Sequence, residues 1–259
     1  MNTLTVADRP LVLIHGWGMH GGVWSSLRKS LRLASMGVDL PGYGNSSSIT
    51  PYTLDGLAEA VLAQCPVQMD VCGWSLGGLV AQRMAQMEPG RIGRLVLVGS
   101  TPCFTLRDDW ACAIPVATLT QFSAELEQAY EVTLKRFLAL QVRGDAAARE
   151  TQAALREQLF ARGRPDAGVL HEGLQLLLNT DLRAQAGNLK QATLLVHGQR
   201  DQLVPLCAAQ WMAQALPDAQ LRVIADAAHA PFLSHTTLFV DMLHEFLGIS
   251  EFGEIYGAG

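Results

Sequence analysis

The sequence predicts an α/β fold, a mostly parallel, doubly covered sheet with an inserted helical lid. Three observations carry this. Short continuous apolar runs alternate with helix-patterned segments; one such run meets its helix through Gly73-Trp74-Ser75-Leu76-Gly77; and after Ser100 the strand signals stop until about residue 189 while helical ones continue. Apolar runs without alternation suit strands covered on both faces, which is the condition of parallel strands between helices.

In chain order, Leu11-Val12-Leu13-Ile14 is the first clear strand, ending in His15-Gly16. Further strands are expected over 34–40, 69–72, 95–98, 193–196 and 221–224, with helical patterns between them such as Leu54, Leu57, Ala58, Val61 and Leu62. The inserted segment carries three helical patterns: Phe122/Leu126/Ala129/Phe137, Leu155/Leu159, and Val169/Leu170/Leu174/Leu177. Asp145 is placed to cap the second helix, Gly163 to end it, and Pro165 to occupy the first turn of the third. The organisation expected is a core of 1–100 and 190–250, a lid of 101–189, and a polar, glycine-rich tail of 251–259. An insertion between two parallel strands falls at the carboxyl end of the sheet, where open α/β folds bind ligands, so the lid should roof Ser75.

Composition removes several function classes. With 259 residues, 49% of them apolar, the chain can cover both faces of one large sheet. A net charge of −5 argues against a nucleic-acid partner, whose phosphates need a basic field. No apolar run approaches the roughly 18 residues of a membrane span, and the amino terminus lacks a basic region followed by an apolar one, so a soluble cytoplasmic protein is expected. Five scattered cysteines, odd in number and without C-x-x-C spacing, are read as reduced, mostly buried thiols rather than a disulfide framework or zinc site. No metal or organic cofactor is expected.

The G-x-S-x-G pentapeptide, set between strand and helix, fits a nucleophile elbow, in which glycines leave room for a strained backbone that presents Ser75 Oγ. A serine hydroxyl needs a base to take its proton and a carboxylate to orient that base. In the chain order Ser, acid, His, Asp201 follows the strand around Leu194 and His229 follows the next. Asp226 is the rival acid, but it shares the loop of His229. His15 and His197 end strands and read as structural. Charge developing on a substrate carbonyl needs preplaced N–H donors, for which Leu76, directly after the nucleophile, and Trp17, in His15-Gly16-Trp17-Gly18, are the candidates.

Together His15-Gly16-Trp17-Gly18, Asp39-Leu40-Pro41-Gly42-Tyr43-Gly44, Gly73-Trp74-Ser75-Leu76-Gly77-Gly78 and His229 resemble the α/β-hydrolase superfamily across almost the whole chain. More narrowly, Pro102-Cys103-Phe104, Arg107-Asp108-Asp109-Trp110, Arg136-Phe137-Leu138-Ala139-Leu140-Gln141 and His229-Ala230-Pro231-Phe232 resemble the pimeloyl-[acyl-carrier protein] methyl ester esterases of biotin synthesis. That resemblance implies an α/β-hydrolase fold and a carboxylesterase that frees the distal carboxylate of a carrier-bound pimeloyl chain. It implies Ser75, Asp201 and His229 as the triad, with substrate contacts from Trp17, Leu76, Phe137, Leu138, Ala139, Leu140 and Gln141. The partner it implies is an acyl-carrier protein; for the chain itself a monomer with no nucleic-acid or membrane partner is expected.

The charge pattern bears on that partner. Residues 130–165 carry seven basic and four acidic side chains, a local +3 that leaves −8 on the rest. Such a reversal would steer an acidic carrier protein to the site. Arg149 and Arg156, seven apart, share one helix face, and in the resemblance Arg136 and Arg149 match the carrier-gripping positions best. The alternatives are a solvated helix face with no partner, on a general short-chain carboxylesterase of free small esters, or a hydrolase-fold binding or receptor protein.

Overall fold

The computed structural model describes residues 9–249. The predicted tail at 251–259 lies outside them. Six strands form one sheet: β1 (Leu11–Ile14), β2 (Ser35–Val38), β3 (Met69–Trp74), β4 (Ile92–Val98), β5 (Ala192–Gly198) and β6 (Ala219–Ile224). Their order is β2-β1-β3-β4-β5-β6, and every neighbouring pair is parallel. Each expected strand is present, because β1, β3 and most of β4 and β5 are covered on both faces and their sequences are continuous apolar runs.

Helices pack on the two faces: α1 (Ser25–Ser30), α2 (Leu54–Gln64), α3 (Leu76–Met87), and, after β5, α7 (Leu206–Ala215), α8 (Pro231–Ser234) and α9 (Thr236–Leu247). Thr53 caps α2 by accepting the Gly56 N–H at 3.1 Å, and Gly248, at φ 67°, closes α9 in the left-handed conformation. The order in which strands are added reverses between β1 and β3, so the loops after these two strands meet at the switch point where such sheets bind ligands.

Between β4 and β5 the chain forms the helical insertion: α4 (Val116–Gln141), α5 (Ala148–Leu159) and α6 (Ala167–Asn179). Several boundary details differ from the sequence reading. Ala129 is not a buried helical position; it is exposed with φ −144° and ψ 56°, and there α4 folds back on itself. The fold brings Phe122 and Phe137 edge to face at 5.5 Å, a contact a straight helix could not make across 15 residues. Asp145 does not cap α5. The N-cap is Ala147, and Asp145 lies two residues earlier, where its carboxylate serves two different segments. Gly163 follows the helix end at Leu159 rather than closing it, and Pro165 precedes Asp166, whose side chain caps α6 through the Val169 N–H at 3.0 Å.

The cysteine reading also needs correction. Cys112 and Cys207 form a disulfide, while Cys65, Cys72 and Cys103 are free, and of these Cys72 and Cys103 are buried. The two partners are 95 residues apart and meet only because the start of the insertion folds over α7, a proximity invisible in spacing; an odd count excludes only complete pairing.

Candidate active site

Ser75 stands between β3 and α3 with φ 56° and ψ −119°, the one non-glycine residue at positive φ among those described. Such a conformation costs about 1–3 kcal/mol and persists only where the surroundings impose it. Here they do. The Ser75 N–H donates to Val98 O at 3.0 Å, and the Ser75 carbonyl accepts from Ser100 Oγ at 2.8 Å. Gly77 lies so close to β1 that a Cβ there would sit 2.5 Å from the Ile14 and His15 carbonyl oxygens. A helix start can approach the sheet this closely only without side chains, which is the physical content of the glycines in the pentapeptide.

Asp201 follows β5 and is buried at the end of a short turn. Its Oδ1 accepts the N–H groups of Leu203 and Val204, both at 2.9 Å, and its Oδ2 accepts His229 Nδ1–H at 2.7 Å. Burial pushes the carboxyl upward, but the adjacent His229, with its hydrogen bond, and the backbone donors outweigh it and hold Asp201 below the usual carboxylate range. The carboxylate therefore fixes the proton of His229 on Nδ1 and leaves Nε2 as the acceptor. Asp226, the rival acid, pairs with Arg200 instead.

Trp74, the neighbour of Ser75, donates its indole N–H to the His229 carbonyl at 2.8 Å and packs 5.7 Å from the imidazole, so the serine and histidine segments are locked together. Gly99, at φ 48°, was not singled out from the sequence. A Cβ there would meet His229 O at 3.0 Å, His229 Nδ1 at 3.1 Å and Asp201 Oδ2 at 3.3 Å. Its signal was a glycine closing an apolar run, as Gly16 and Gly73 do.

Leu76 opens α3, where the leading N–H groups lack intrahelical acceptors, and Trp17 lies in the loop after β1 across the switch point. The Trp17 ring is buried: its Nε1–H donates to Leu170 O on α6 at 2.8 Å, and Phe137 of α4 meets it edge to face at 4.6 Å. The expected segment 137–141 divides. Phe137, Leu138 and Gln141 are buried, and Gln141 Oε1 has no hydrogen-bond partner among the described residues. Ala139 is exposed and Leu140 half-buried, and both line an outer groove of about 310 Å³ with Phe122, Arg136 and Arg143. His15 accepts Leu40 N–H at Nε2 and donates from Nδ1 to Gly16 O, and its burial lowers its pKa to about 4. His197 donates to Val204 O at 2.8 Å. Among the described residues no group of three or more His, Cys, Asp or Glu is placed to hold a metal ion, and no helix is long and apolar enough to cross a membrane.

The family model described as alpha/beta hydrolase fold matches residues 9–236. The chain belongs to that family. Within it, the chain is 44% identical to the pimeloyl-[acyl-carrier protein] methyl ester esterase of Nitrosomonas europaea over 89% of this chain and 92% of that one. It is 40% identical to the protein of the same name from Serratia marcescens, over 95% and 96%. Among solved structures, an esterase from Exiguobacterium antarcticum superposes with a TM-score of 0.83 at 23% identity, over 93% of this chain and 92% of that one, a likeness of fold.

Four of the seven basic residues around the insertion are paired. Arg136 binds Glu125 at 2.6 Å, Lys135 and Arg164 share Glu131, and Arg162 reaches across to Asp39 at 2.7 Å. Arg143, Arg149 and Arg156 are exposed and make no ion pair among the described residues.

Proposed function

We propose that this protein is a serine carboxylesterase that hydrolyses the methyl ester of pimeloyl-[acyl-carrier protein] in biotin synthesis. One observation carries the chemistry: a strained Ser75 whose neighbour Trp74 is bound to the backbone of a His229 already oriented by Asp201. Two relatives carrying the esterase name, matched over most of both chains, support the substrate.

In this reading Ser75 Oγ attacks the ester carbonyl while His229 Nε2 takes its proton, and Asp201 stabilises the imidazolium that forms. The N–H groups of Trp17 and Leu76 receive the developing oxyanion, an interaction worth about 3 kcal/mol for each donor. Collapse expels methanol, which carries off the proton held by His229, and leaves an acyl group on Ser75. Water then attacks under the same base and frees the carboxylate. The helical insertion acts as the lid, with core 1–100 and 190–250. Trp17, Leu76 and the inner side chains Phe137, Leu138 and Gln141 contact the acyl chain. Ala139 and Leu140 border the outer groove, beside the carrier-docking arginines Arg136, Arg149 and Arg156. The enzyme works as a cytoplasmic monomer without metal or organic cofactor.

The test is kcat/KM for the carrier-bound methyl ester beside p-nitrophenyl butyrate at low and high salt, with Ser75→Ala as control. A large, salt-sensitive preference for the carrier-bound ester and loss of turnover in the variant are expected. Comparable, salt-insensitive values would leave a general esterase of free small esters, and full activity in Ser75→Ala would refute the nucleophile.

A further inference from the structure

The loop that presents His229 is held from the lid as well as from the sheet. Two of its N–H groups reach the lid: His229 N–H donates to Gln141 O at 3.0 Å, and Ala228 N–H donates to Asp145 Oδ2 at 2.9 Å. In return Ala146 N–H donates to Asp226 O at 2.9 Å. Arg200 closes the circle, donating from Nη1 to Gly144 O at 2.9 Å while pairing with the Asp226 carboxylate. The turn 141–146 between α4 and α5 is thus stitched to residues 226–229 by bonds spanning about 80 residues of sequence.

Asp145 is the centre of these stitches. It is buried, and its two carboxylate oxygens serve two segments: Oδ1 takes Ala147 N–H at 2.8 Å and Oδ2 takes Ala228 N–H. An acceptor on both oxygens is what a carboxylate offers and an amide does not. Capping α5 alone would require neither burial nor a bond to the histidine loop. The Ala228 contact lies one residue before the imidazole, so displacement of the turn moves the base relative to Ser75.

We propose that Asp145 is a positioning residue for His229, and that through it the turn 141–146 makes the lid part of the machinery that places the base. This inference rests on the roles proposed above for Ser75 and His229. It goes further in tying the base to the lid: whatever shifts that turn, including an acyl chain seated against Phe137 and Gln141, is felt at the proton acceptor.

The experiment is phosphonylation of Ser75 by a fluorophosphonate, which requires the base but no carrier protein. The Oγ–P bond forms, the P–F bond breaks, His229 takes the serine proton and fluoride leaves. Asp145→Asn is compared with wild type for the second-order labelling rate, for kcat and KM with p-nitrophenyl butyrate, and for thermal midpoint. A misplacement on the order of 1 Å can cost up to about a hundredfold, so a drop of at least about tenfold in labelling rate and kcat is expected, with KM within about twofold. Asp145→Glu, which keeps both acceptor oxygens, should recover part of the rate. A variant with lowered thermal midpoint but wild-type labelling rate would make Asp145 merely structural and overturn the proposal. Should Asp145→Asn not fold, Arg200→Met carries the test from the surface by removing the bonds to Gly144 and Asp226; a labelling rate unchanged from wild type would equally overturn it. Failure of wild-type Ser75 to label would instead sink the serine mechanism itself.

Discussion

The proposed nucleophile and the proposed base are held by different means. Ser75 is held by its own chain and the sheet: positive φ, a backbone bond to Val98 and glycine contacts with β1 leave it one conformation. His229 is held from both sides: by Asp201 and the Trp74 indole of the core, and by the insertion through its own N–H to Gln141 O and the neighbouring Ala228 N–H to Asp145. The comparison teaches that the serine belongs to the core and the histidine to the joint between core and lid. A change in the elbow should cost the fold, and a change at the joint should cost the rate.

The largest effect expected is on the serine side. Gly77→Ala would place a methyl 2.5 Å from the carbonyl oxygens of Ile14 and His15, backbone atoms that cannot move aside cheaply. A loss of about 4 kcal/mol or more is expected, enough to abolish soluble expression or lower the thermal midpoint by more than about 10 °C. A variant that melts like wild type would show that the elbow is not locked from below.

Next comes pH, where both sides can be compared in one stability titration. His15 is neutral when folded, with its pKa lowered to about 4, and His197 is likewise lowered, each chiefly by burial. The unfolded chain binds protons at both sites near the ordinary histidine value, so their stabilisation is complete above about pH 6.5 and falls as pH drops below it, for His15 down to about 4. His15 alone accounts for about 3 kcal/mol across that window. Asp201 has the depressed value usual for a paired carboxylate, so its contribution is present above the usual carboxylate range and is lost only as pH falls below it. Urea midpoints between pH 7 and 4.5 should therefore decline, and His15→Asn, less stable at pH 7, should flatten the decline. A flat wild-type profile would contradict the neutral buried histidines.

How much of this was legible in the sequence follows the same division. The inner strands are legible because strands covered on both faces are apolar throughout, while the edge strands β2 and β6 are only partly covered; the elbow is visible because its geometry needs glycine at fixed offsets from Ser75. The pairing of Asp201 with His229 follows from topology, since both loops leave neighbouring strands at the same sheet edge. What was not legible depends on contacts at long range. Asp145 looks like any helix cap until the fold places Ala228 beside it, and Cys112 and Cys207 have no spacing signature across 95 residues. The reversal of α4 at Ala129 was hidden for another reason: alanine is a good helix former, and the break comes from packing Phe122 onto Phe137 rather than from a local breaker.

The smallest effect sharpens the contrast from the outer surface of the lid. Arg149 and Arg156 lie on α5, exposed and unpaired among the described residues, whereas Arg136 and Arg162 are engaged with Glu125 and Asp39. Cations already neutralised contribute little to a long-range field, so the two free arginines, with Arg143, should carry most of the attraction for an acidic carrier. Reversing both, Arg149→Glu with Arg156→Glu, is expected to raise KM for the carrier-bound ester by about tenfold at low salt, with less effect at high salt. The same variant should hydrolyse p-nitrophenyl butyrate with unchanged kcat and KM, because neither side chain bonds to the turn that holds His229. Equal losses on both substrates would mean that α5 acts through the joint rather than through its charge, and the division between an inner face that places the base and an outer face that gathers substrate would fall.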